Sequence, residues 1–182
     1  LNGIKRDKSL VLFLGRITSQ KGPEQFVTAA RMVLDAIPGA RFVMAGDGDM
    51  LDQVKGLVQD LHMQQAFTFP GFLIGRKVQE MYAKAAIFVM PSISEPFGIT
   101  PLEALSCGTP AIISKNSGVR EILRSALVTE VGDTDQLANY IIQTLRYSEI
   151  GSDMIAMAQN ELNDASWENS AARVADIYKG LI

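Results

Sequence analysis

The sequence predicts an α/β domain, a Rossmann-like doubly wound parallel sheet of about six strands with helices at its C-terminal end. Two observations lead to this fold class. Short apolar runs alternate about six times with amphipathic stretches of helical period, the order that builds a parallel sheet with right-handed crossovers. Most of the runs are also continuously apolar, as strands buried on both faces are.

The strands and helices follow one another along the whole chain. The predicted strands are 10–14, 41–45, 66–69, 86–90, 111–114 and 126–131. Apolar residues spaced by three and four mark one face of the helices. These faces consist of Phe26, Val27, Ala30, Val33, Leu34 and Ile37; Leu51, Val54, Leu57, Val58 and Leu61; Leu137, Ile141, Thr144 and Leu145; and Trp167, Ala171, Val174, Tyr178 and Leu181. Ligands of such sheets bind beyond the carboxyl ends of the strands, so a site is expected in the loops that follow strands.

Composition excludes several classes of protein. With 17 basic and 20 acidic residues the net charge is -3, whereas a general nucleic-acid binder needs a basic face. One cysteine excludes an internal disulfide and favours a reducing, cytoplasmic location, and one histidine excludes a zinc site with several His ligands. No apolar run of membrane-spanning length and no signal segment occurs. Because the chain starts without Met and enters its first strand by about residue 10, we expect it to be a piece of a longer protein.

The loop after the first predicted strand carries two cations. Arg16 and Lys21 lie five residues apart and are bracketed by Gly15 and Gly22. The donor fork of an arginine and the mobile charge of a lysine can converge on one anion, and together they could stabilise a departing diphosphate. The alternative interpretation is a solvated loop with two surface cations. The Gly-Lys-Ser/Thr of a Walker loop is absent.

The loop after the second predicted strand, Gly46-Asp47-Gly48-Asp49, has three interpretations. A dinucleotide-binding fingerprint fails, because Leu51 stands at its third glycine position and this is not the first turn of the sheet. Two carboxylates could instead hold Mg²⁺. We favour a tight turn in which glycine supplies a positive φ and an aspartate caps the next helix, so no metal is expected.

The loop after the fourth predicted strand leads into a short helix. The helix is predicted to begin near Gly98 and to end before Gly108, since Pro101 is tolerated only in a first turn and glycine commonly follows a helix. The backbone N–H groups of Gly98, Ile99 and Thr100 would then be free to bind phosphate oxygens, with help from the helix dipole.

Two glutamates frame this helix start. Glu103 would lie about one turn inside the helix, where its carboxylate can accept two hydroxyl hydrogen bonds such as a ribose diol offers. Glu95, on the preceding loop, would reach the other side of the phosphate and could hold sugar hydroxyls. The alternative is a surface acid and a favourable first-turn charge. Cys107 is interpreted as a packed residue rather than a nucleophile, because the histidine, His62, falls on a different helix.

Together these motifs resemble the C-terminal domain of retaining GT-B glycosyltransferases of group 1, a family-4-like group that includes bacterial mannosyl- and glucosyltransferases. The family's Glu-x7-Glu motif is matched by Glu95 and Glu103, and its Gly-Arg…Lys-Gly motif by residues 15–22. Further matches are Pro91-Ser92, Phe97-Gly98, Glu103-Ala104, Gly108-Thr109-Pro110, Gly46-Asp47-Gly48, Gly71 and Val131-Gly132-Asp133. The family often has Gly-Gly where this chain has Ser117-Gly118.

The resemblance implies a nucleotide-sugar site. Its residues would be Gly15, Arg16, Lys21, Phe72, Leu73, Glu95, Phe97, Gly98, Ile99, Thr100 and Glu103. By resemblance, Arg16 and Lys21 bind the donor diphosphate and form the catalytic set together with Glu95, which contacts the hydroxyls of the donor sugar. Glu103 would hold the ribose, and the backbone at residues 72–73 would line the base. GT-B enzymes stabilise the leaving group with cations and helix dipoles, so neither a metal nor a cofactor is expected.

The resemblance also implies a division of labour between domains. Residues 1–182 would be the donor-binding domain, and the N-terminal acceptor domain would be absent from this chain. The expected reaction moves a hexose from a nucleotide-diphosphate sugar to an unknown acceptor, a sugar, lipid-linked glycan or small molecule, with retention of configuration. A nucleotide-sugar epimerase and a non-catalytic nucleotide-binding module are the alternatives. We expect a cytoplasmic protein that could contact the inner membrane surface through the absent domain.

Overall fold

Six strands form one parallel sheet. A computed structural model describes residues 3–181 of the chain. Its strands are β1 Leu10–Leu14, β2 Arg41–Ala45, β3 Phe67–Gly71, β4 Ile87–Met90, β5 Ala111–Ser114 and β6 Leu127–Thr129. They are ordered β3-β2-β1-β4-β5-β6, and every neighbouring pair is parallel. The predicted doubly wound α/β sheet of about six strands is confirmed.

Helices connect the strands and end the chain. They are α1 Pro23–Ala36, α2 Leu51–Asp60, α3 Arg76–Lys84, α4 Thr100–Ser106, α5 Thr134–Arg146, α6 Ser148–Asp164 and α7 Trp167–Lys179. Three strands differ in their bounds from the prediction, β4 by one residue at its start and β3 and β6 at both ends. The third strand extends to Gly71, which pairs with Ala45 across an irregularity in β2, and the sixth strand is limited to the three residues that pair with β5.

Alternate residues of β1 point into two separate hydrophobic cores, one on each face of the sheet. Val11 and Phe13 pack with residues of α1, α2 and α5, whereas Leu10 and Leu12 pack with residues of α3, α4 and α6. This arrangement explains why the central strands read as continuous apolar runs, because β1, β2, β4 and β5 are buried on both faces, whereas the edge strands β3 and β6 are partly exposed.

The apolar face of the last helix is exposed. The predicted apolar face of α7 includes Val174, Tyr178 and Leu181, whose residues are 52%, 66% and 77% exposed. The helix is present as its period predicts, but its apolar stripe stays exposed, because other helices already cover both faces of the sheet. The side chain of Trp167 lies outside the described part of the structure. Within residues 3–181, every helix is too short or too polar to cross a membrane.

Candidate functional site

The loops that follow β1 and β4 lie side by side at the centre of the sheet. These strands are neighbours, and the strand order reverses between them, which is where ligands of doubly wound sheets bind. The Ile93 N–H donates a hydrogen bond to the Gln20 carbonyl over 2.9 Å, so each loop holds the other. The fold therefore brings together candidate residues that are far apart in the sequence.

A cleft of about 140 Å³ opens between these loops. Its lining includes Gly15, Arg16 and Lys21 from the first loop, and Ser92 and Thr100 from the region after β4. The Arg16 side chain is exposed and makes no ion pair within residues 3–181. The Ser92 hydroxyl is buried and has no hydrogen-bond partner among the described residues. Sequence reasoning matched Ser92 to a family motif but gave it no part in the site.

Lys21 and Glu95 form an ion pair across the two loops. Their side chains are only 19% and 11% exposed, so the pair is largely shielded from solvent. The sequence suggested separate ligands for these residues, a diphosphate for the lysine and sugar hydroxyls for the glutamate. In the structure each is the partner of the other, so a ligand must compete with this ion pair.

The turn after β2 shapes the cationic loop. The Ile17 N–H donates to the Asp47 carbonyl over 2.9 Å, and the Ile17 carbonyl accepts from Met50 N–H over 3.1 Å. Gly46 has the positive φ that the turn interpretation requires, 146°. The expected aspartate cap on α2 is wrong, because the Asp47 carboxylate accepts from the N–H of Gly48 and the cap residue Met50 makes no side-chain bond. Within residues 3–181, no three His, Cys, Asp or Glu side chains gather as metal ligands would.

The helix after β4 begins later than predicted, at Thr100 rather than near Gly98. Gly98 has a φ of 95°, which excludes it from a right-handed helix. A Cβ at this position would lie 2.9 Å from the Met90 Cε and 3.1 Å from the Glu95 Cγ. Glycine is therefore required by the backbone conformation, and a side chain here would also push the Met90 and Glu95 side chains aside.

Three backbone donors are available at this helix start. The first bond of α4 runs from Glu103 N–H to the Ile99 carbonyl over 3.1 Å. The N–H groups of Gly98, Ile99 and Thr100 have no acceptor among residues 3–181, as the start of a helix leaves them. Because α4 has only seven residues, these donors contribute more through direct hydrogen bonds than through a helix dipole.

The side chains of Phe97 and Ile99 point away from the cleft that holds Lys21. They are 42% and 59% exposed and line a larger cavity of about 900 Å³, whose other walls come from the 118–124 region and from α6 and α7. Phe97 and Ile99 can therefore contribute their backbone to the first cleft, while their side chains belong to another surface.

Glu103 lies in a third cavity, of about 320 Å³, which Tyr82 and Cys107 also line. The Tyr82 hydroxyl donates to the Glu103 Oε2 over 3.1 Å. Burial, reinforced by the charge of Glu103, raises the pKa of Tyr82, and burial likewise raises the pKa of the Cys107 thiol. His62 is exposed and lies just beyond the end of α2 rather than on a helix, far in sequence from this cavity.

The loop after β3 borders the same cavity. Phe72 is 76% exposed, whereas Leu73 is partly buried against the core beneath α3. Gly75 and Val78, which follow on the chain, line the cavity that contains Glu103. The residues predicted to line a base therefore lie two to three residues before Gly75, which lines the cavity of the residue predicted to hold a ribose.

Sequence reasoning missed a segment that fixes Glu95. The Glu95 N–H donates to the Asn116 carbonyl over 3.1 Å, and the Glu95 carbonyl accepts from Gly118 N–H over 3.0 Å. A Cβ on Gly118 would lie 2.2 Å from the Pro96 carbonyl oxygen, so only glycine permits this approach. The signal in the sequence was the position where the family often has Gly-Gly and this chain has Ser117-Gly118, which was treated as a departure from the family and not connected to Glu95.

Comparison with known sequences extends over nearly the whole chain. The sequence model of the family described as glycosyl transferases group 1 matches residues 2–161. An uncharacterized glycosyltransferase of Methanocaldococcus jannaschii is 32% identical over 181 residues, which are 97% of this chain and 46% of that protein. The chain thus spans about half the length of this relative.

Solved structures have the same architecture. The sucrose-phosphate synthase of Thermosynechococcus elongatus is 27% identical with a TM-score of 0.83, over 96% of this chain and 46% of that chain. Anabaena HepE in complex with UDP and glucose is 21% identical with a TM-score of 0.79, over 94% of this chain and 48% of that chain. The chain therefore belongs to the glycosyl transferases group 1 family, and its sheet is one half of the GT-B fold, as its motifs predict.

Proposed function

We propose that this chain binds the donor of a glycosyltransferase, a nucleoside-diphosphate sugar whose hexosyl group passes to an acceptor with retention of configuration. The observation that carries the proposal is the cleft at the reversal of strand order, where Arg16 and Lys21 lie opposite Thr100. The unbonded N–H groups of residues 98–100 stand beside it. Two cations and several N–H donors around one cleft suit a diphosphate.

The same groups account for the chemistry of transfer. When the bond between the anomeric carbon and the diphosphate oxygen breaks, negative charge develops on the leaving phosphate, and Arg16 and Lys21 stabilise that charge. Glu95, beside Lys21, takes the hydroxyls of the donor sugar, and Glu103 takes the ribose. Neither a metal nor a further cofactor is needed in this proposal, because the cations perform the electrostatic work.

A second domain completes the enzyme in this proposal. The chain spans about half the length of its archaeal relative, so residues 1–182 would form the donor half and an N-terminal domain would bind the acceptor. The acceptor is a sugar, a lipid-linked glycan or a small molecule. We place the enzyme in the cytoplasm, where the single cysteine stays reduced, with any contact to the inner membrane surface made by the other domain.

Calorimetry with the 182-residue chain tests donor binding. UDP is the first nucleotide to test because Anabaena HepE was solved with it, followed by GDP and ADP. We expect one of them to bind, and the double variant Arg16→Ala, Lys21→Ala to lose at least about tenfold in affinity, since hydrogen bonds to charged groups are removed. The matched control, Arg31→Ala with Lys179→Ala, changes the charge equally on exposed helix positions and should bind like the wild type.

The outcomes separate the alternatives. If none of the three nucleotides binds, donor binding is wrong. If the cation variant and its control bind equally, the ligand lies elsewhere on the domain. Conversion of a nucleotide sugar to its epimer by this chain, with no acceptor added, would favour the epimerase.

A further inference from the structure

Tyr82 is held rigidly in the hydrophobic core that α3, α4 and α6 cover, beneath the cavity that contains Glu103. The residue is fully buried, and its ring meets Phe88 edge-on with the ring centres 5.5 Å apart. The hydroxyl of Thr109 donates to the Tyr82 carbonyl over 2.5 Å. Packing and this backbone contact fix the ring, so the position of the phenol oxygen is set by the fold rather than by Glu103.

The phenol meets one of the two carboxylate oxygens of Glu103. The Tyr82 hydroxyl donates to Oε2 over 3.1 Å, slightly longer than the upper end of about 3.0 Å for such bonds, and Oε1 accepts no hydrogen bond within residues 3–181. Burial raises the pKa of Tyr82, so the phenol stays protonated and can only act as the donor to a carboxylate at neutral pH. One carboxylate oxygen is thus anchored and the other remains open to the cavity.

Anchoring matters because glutamate is a flexible side chain. Glu103 is exposed on α4, and an exposed glutamate gives up considerable rotamer freedom when a ligand fixes it. A carboxylate already held by a rigid donor loses less rotamer freedom when a ligand binds, and this preorganisation raises affinity. The free oxygen and the remaining lone pairs can then accept from two adjacent hydroxyl groups.

We propose that Tyr82 is a positioning residue that holds the Glu103 carboxylate for the 2′,3′-diol of the donor nucleoside and thereby makes the site selective for ribonucleotides. This inference rests on the proposed function, since it requires that Glu103 meets a ribose. It differs from a packing role for Tyr82, because packing alone affects stability and leaves the preference between ribose and dideoxyribose unchanged.

The test compares ribo- and 2′,3′-dideoxynucleoside diphosphates of the base that binds best, by calorimetry on the 182-residue chain. We expect Tyr82→Phe to weaken binding of the ribonucleotide by about three- to tenfold, the effect of losing one hydrogen-bonded anchor, and to leave the dideoxynucleotide unchanged. Glu103→Gln should abolish the preference for ribose, and adding Tyr82→Phe to it should change nothing more, because the two residues act as one unit. Tyr140→Phe, at a partly buried tyrosine in the other core, is the matched control.

Several results would overturn the inference. If Tyr82→Phe weakens binding of both nucleotides equally, Tyr82 acts only through packing. If it weakens binding of neither nucleotide, Tyr82 has no role in the site. If Tyr82→Phe does not fold, Glu103→Asp replaces it, since the shorter side chain withdraws from the phenol and should reduce the ribose preference. A wild-type chain that binds both nucleotides equally refutes the ribose contact but keeps diphosphate binding, whereas a chain that binds neither refutes the proposed function as well.

Discussion

The two glutamates that flank the start of α4 differ in the partners that the fold gives them. Glu95 is 11% exposed at its side chain and paired with the cation Lys21. Glu103 lies on the exposed side of α4 and receives a hydrogen bond from the neutral phenol of Tyr82. The first charge is compensated before any ligand arrives, whereas the second is oriented but not neutralised.

This difference gives the two carboxylates different relationships to a ligand. A diphosphate near Lys21 competes with Glu95 for the same ammonium group, so we expect diphosphate binding to release the glutamate toward the sugar. A ribose near Glu103 does not have to displace Tyr82, because a carboxylate has enough lone pairs for both partners. Diphosphate binding therefore replaces Glu95 as the partner of Lys21, whereas ribose binding adds hydrogen bonds to Glu103 without breaking the one from Tyr82.

The largest effect is expected for Glu103→Ala. This change removes the acceptor of both ribose hydroxyls, and bonds to a charged acceptor contribute roughly 1.5–3 kcal/mol, so nucleoside diphosphate affinity should fall by about tenfold or more. Calorimetry with UDP, GDP and ADP measures the loss. Glu80→Ala, an exposed glutamate on neighbouring α3, controls for the loss of one negative charge. An unchanged affinity would place the ribose away from Glu103.

A smaller effect of opposite sign is expected for Glu95→Gln. The amide frees Lys21 from an ion pair that is largely shielded from solvent, so a nucleoside diphosphate without sugar no longer competes with Glu95 and should bind more tightly, by about fivefold. Because the pair is largely shielded from solvent, raising the salt concentration should change this gain only weakly. A nucleotide sugar should gain less, because its contacts to Glu95 are lost.

The expected change in affinity has the opposite sign to that for Glu103→Ala, so the two variants are readily distinguished. If Glu95→Gln also weakens binding of the nucleotide without sugar, Glu95 contacts the nucleotide itself and does not compete with it. Glu130→Gln, which breaks the exposed ion pair with Lys115, provides the control for removing an ion pair from this domain.

Regular structure was the part of this protein that the sequence predicted best. The central strands are buried on both faces, so their apolar runs were readable, and the site was expected in the loops that follow strands. Local backbone conformation was harder. Gly98 and Pro101 suggested a helix near residue 98, but glycine permits both a helical and a positive φ, and the structure has the latter.

Pairing between distant residues was beyond sequence reasoning. Lys21 and Glu95 are 74 residues apart, and Tyr82 and Glu103 are 21 apart on different helices. Motifs indicated which side chains belong to one site, but whether two of them contact each other depends on how loops pack. The exposure of the apolar face of α7 was unreadable for a related reason, because a helical stripe shows that a face is apolar but does not say what covers it.

The smallest effect is expected in chemical labelling of Cys107, the one cysteine of the chain. It lies one turn after Glu103 and lines the same cavity, so a bound nucleoside should hinder its alkylation by iodoacetamide. Burial raises the pKa of the thiol, which keeps more of it protonated at neutral pH, so the rate should climb with pH through the alkaline range. Mass spectrometry of the labelled chain measures the rate.

Labelling of the wild-type chain also distinguishes ligand binding near Glu95 from ligand binding near Glu103. A saturating nucleoside diphosphate occupies both and should slow alkylation of Cys107 by a modest factor, because the thiol lines the cavity but is not its main contact. Pyrophosphate alone satisfies only the cations near Glu95 and should leave the rate unchanged. Equal protection by both ligands would mean that anion binding closes the Glu103 cavity, and the two carboxylates would then belong to one coupled unit instead of two independent contacts.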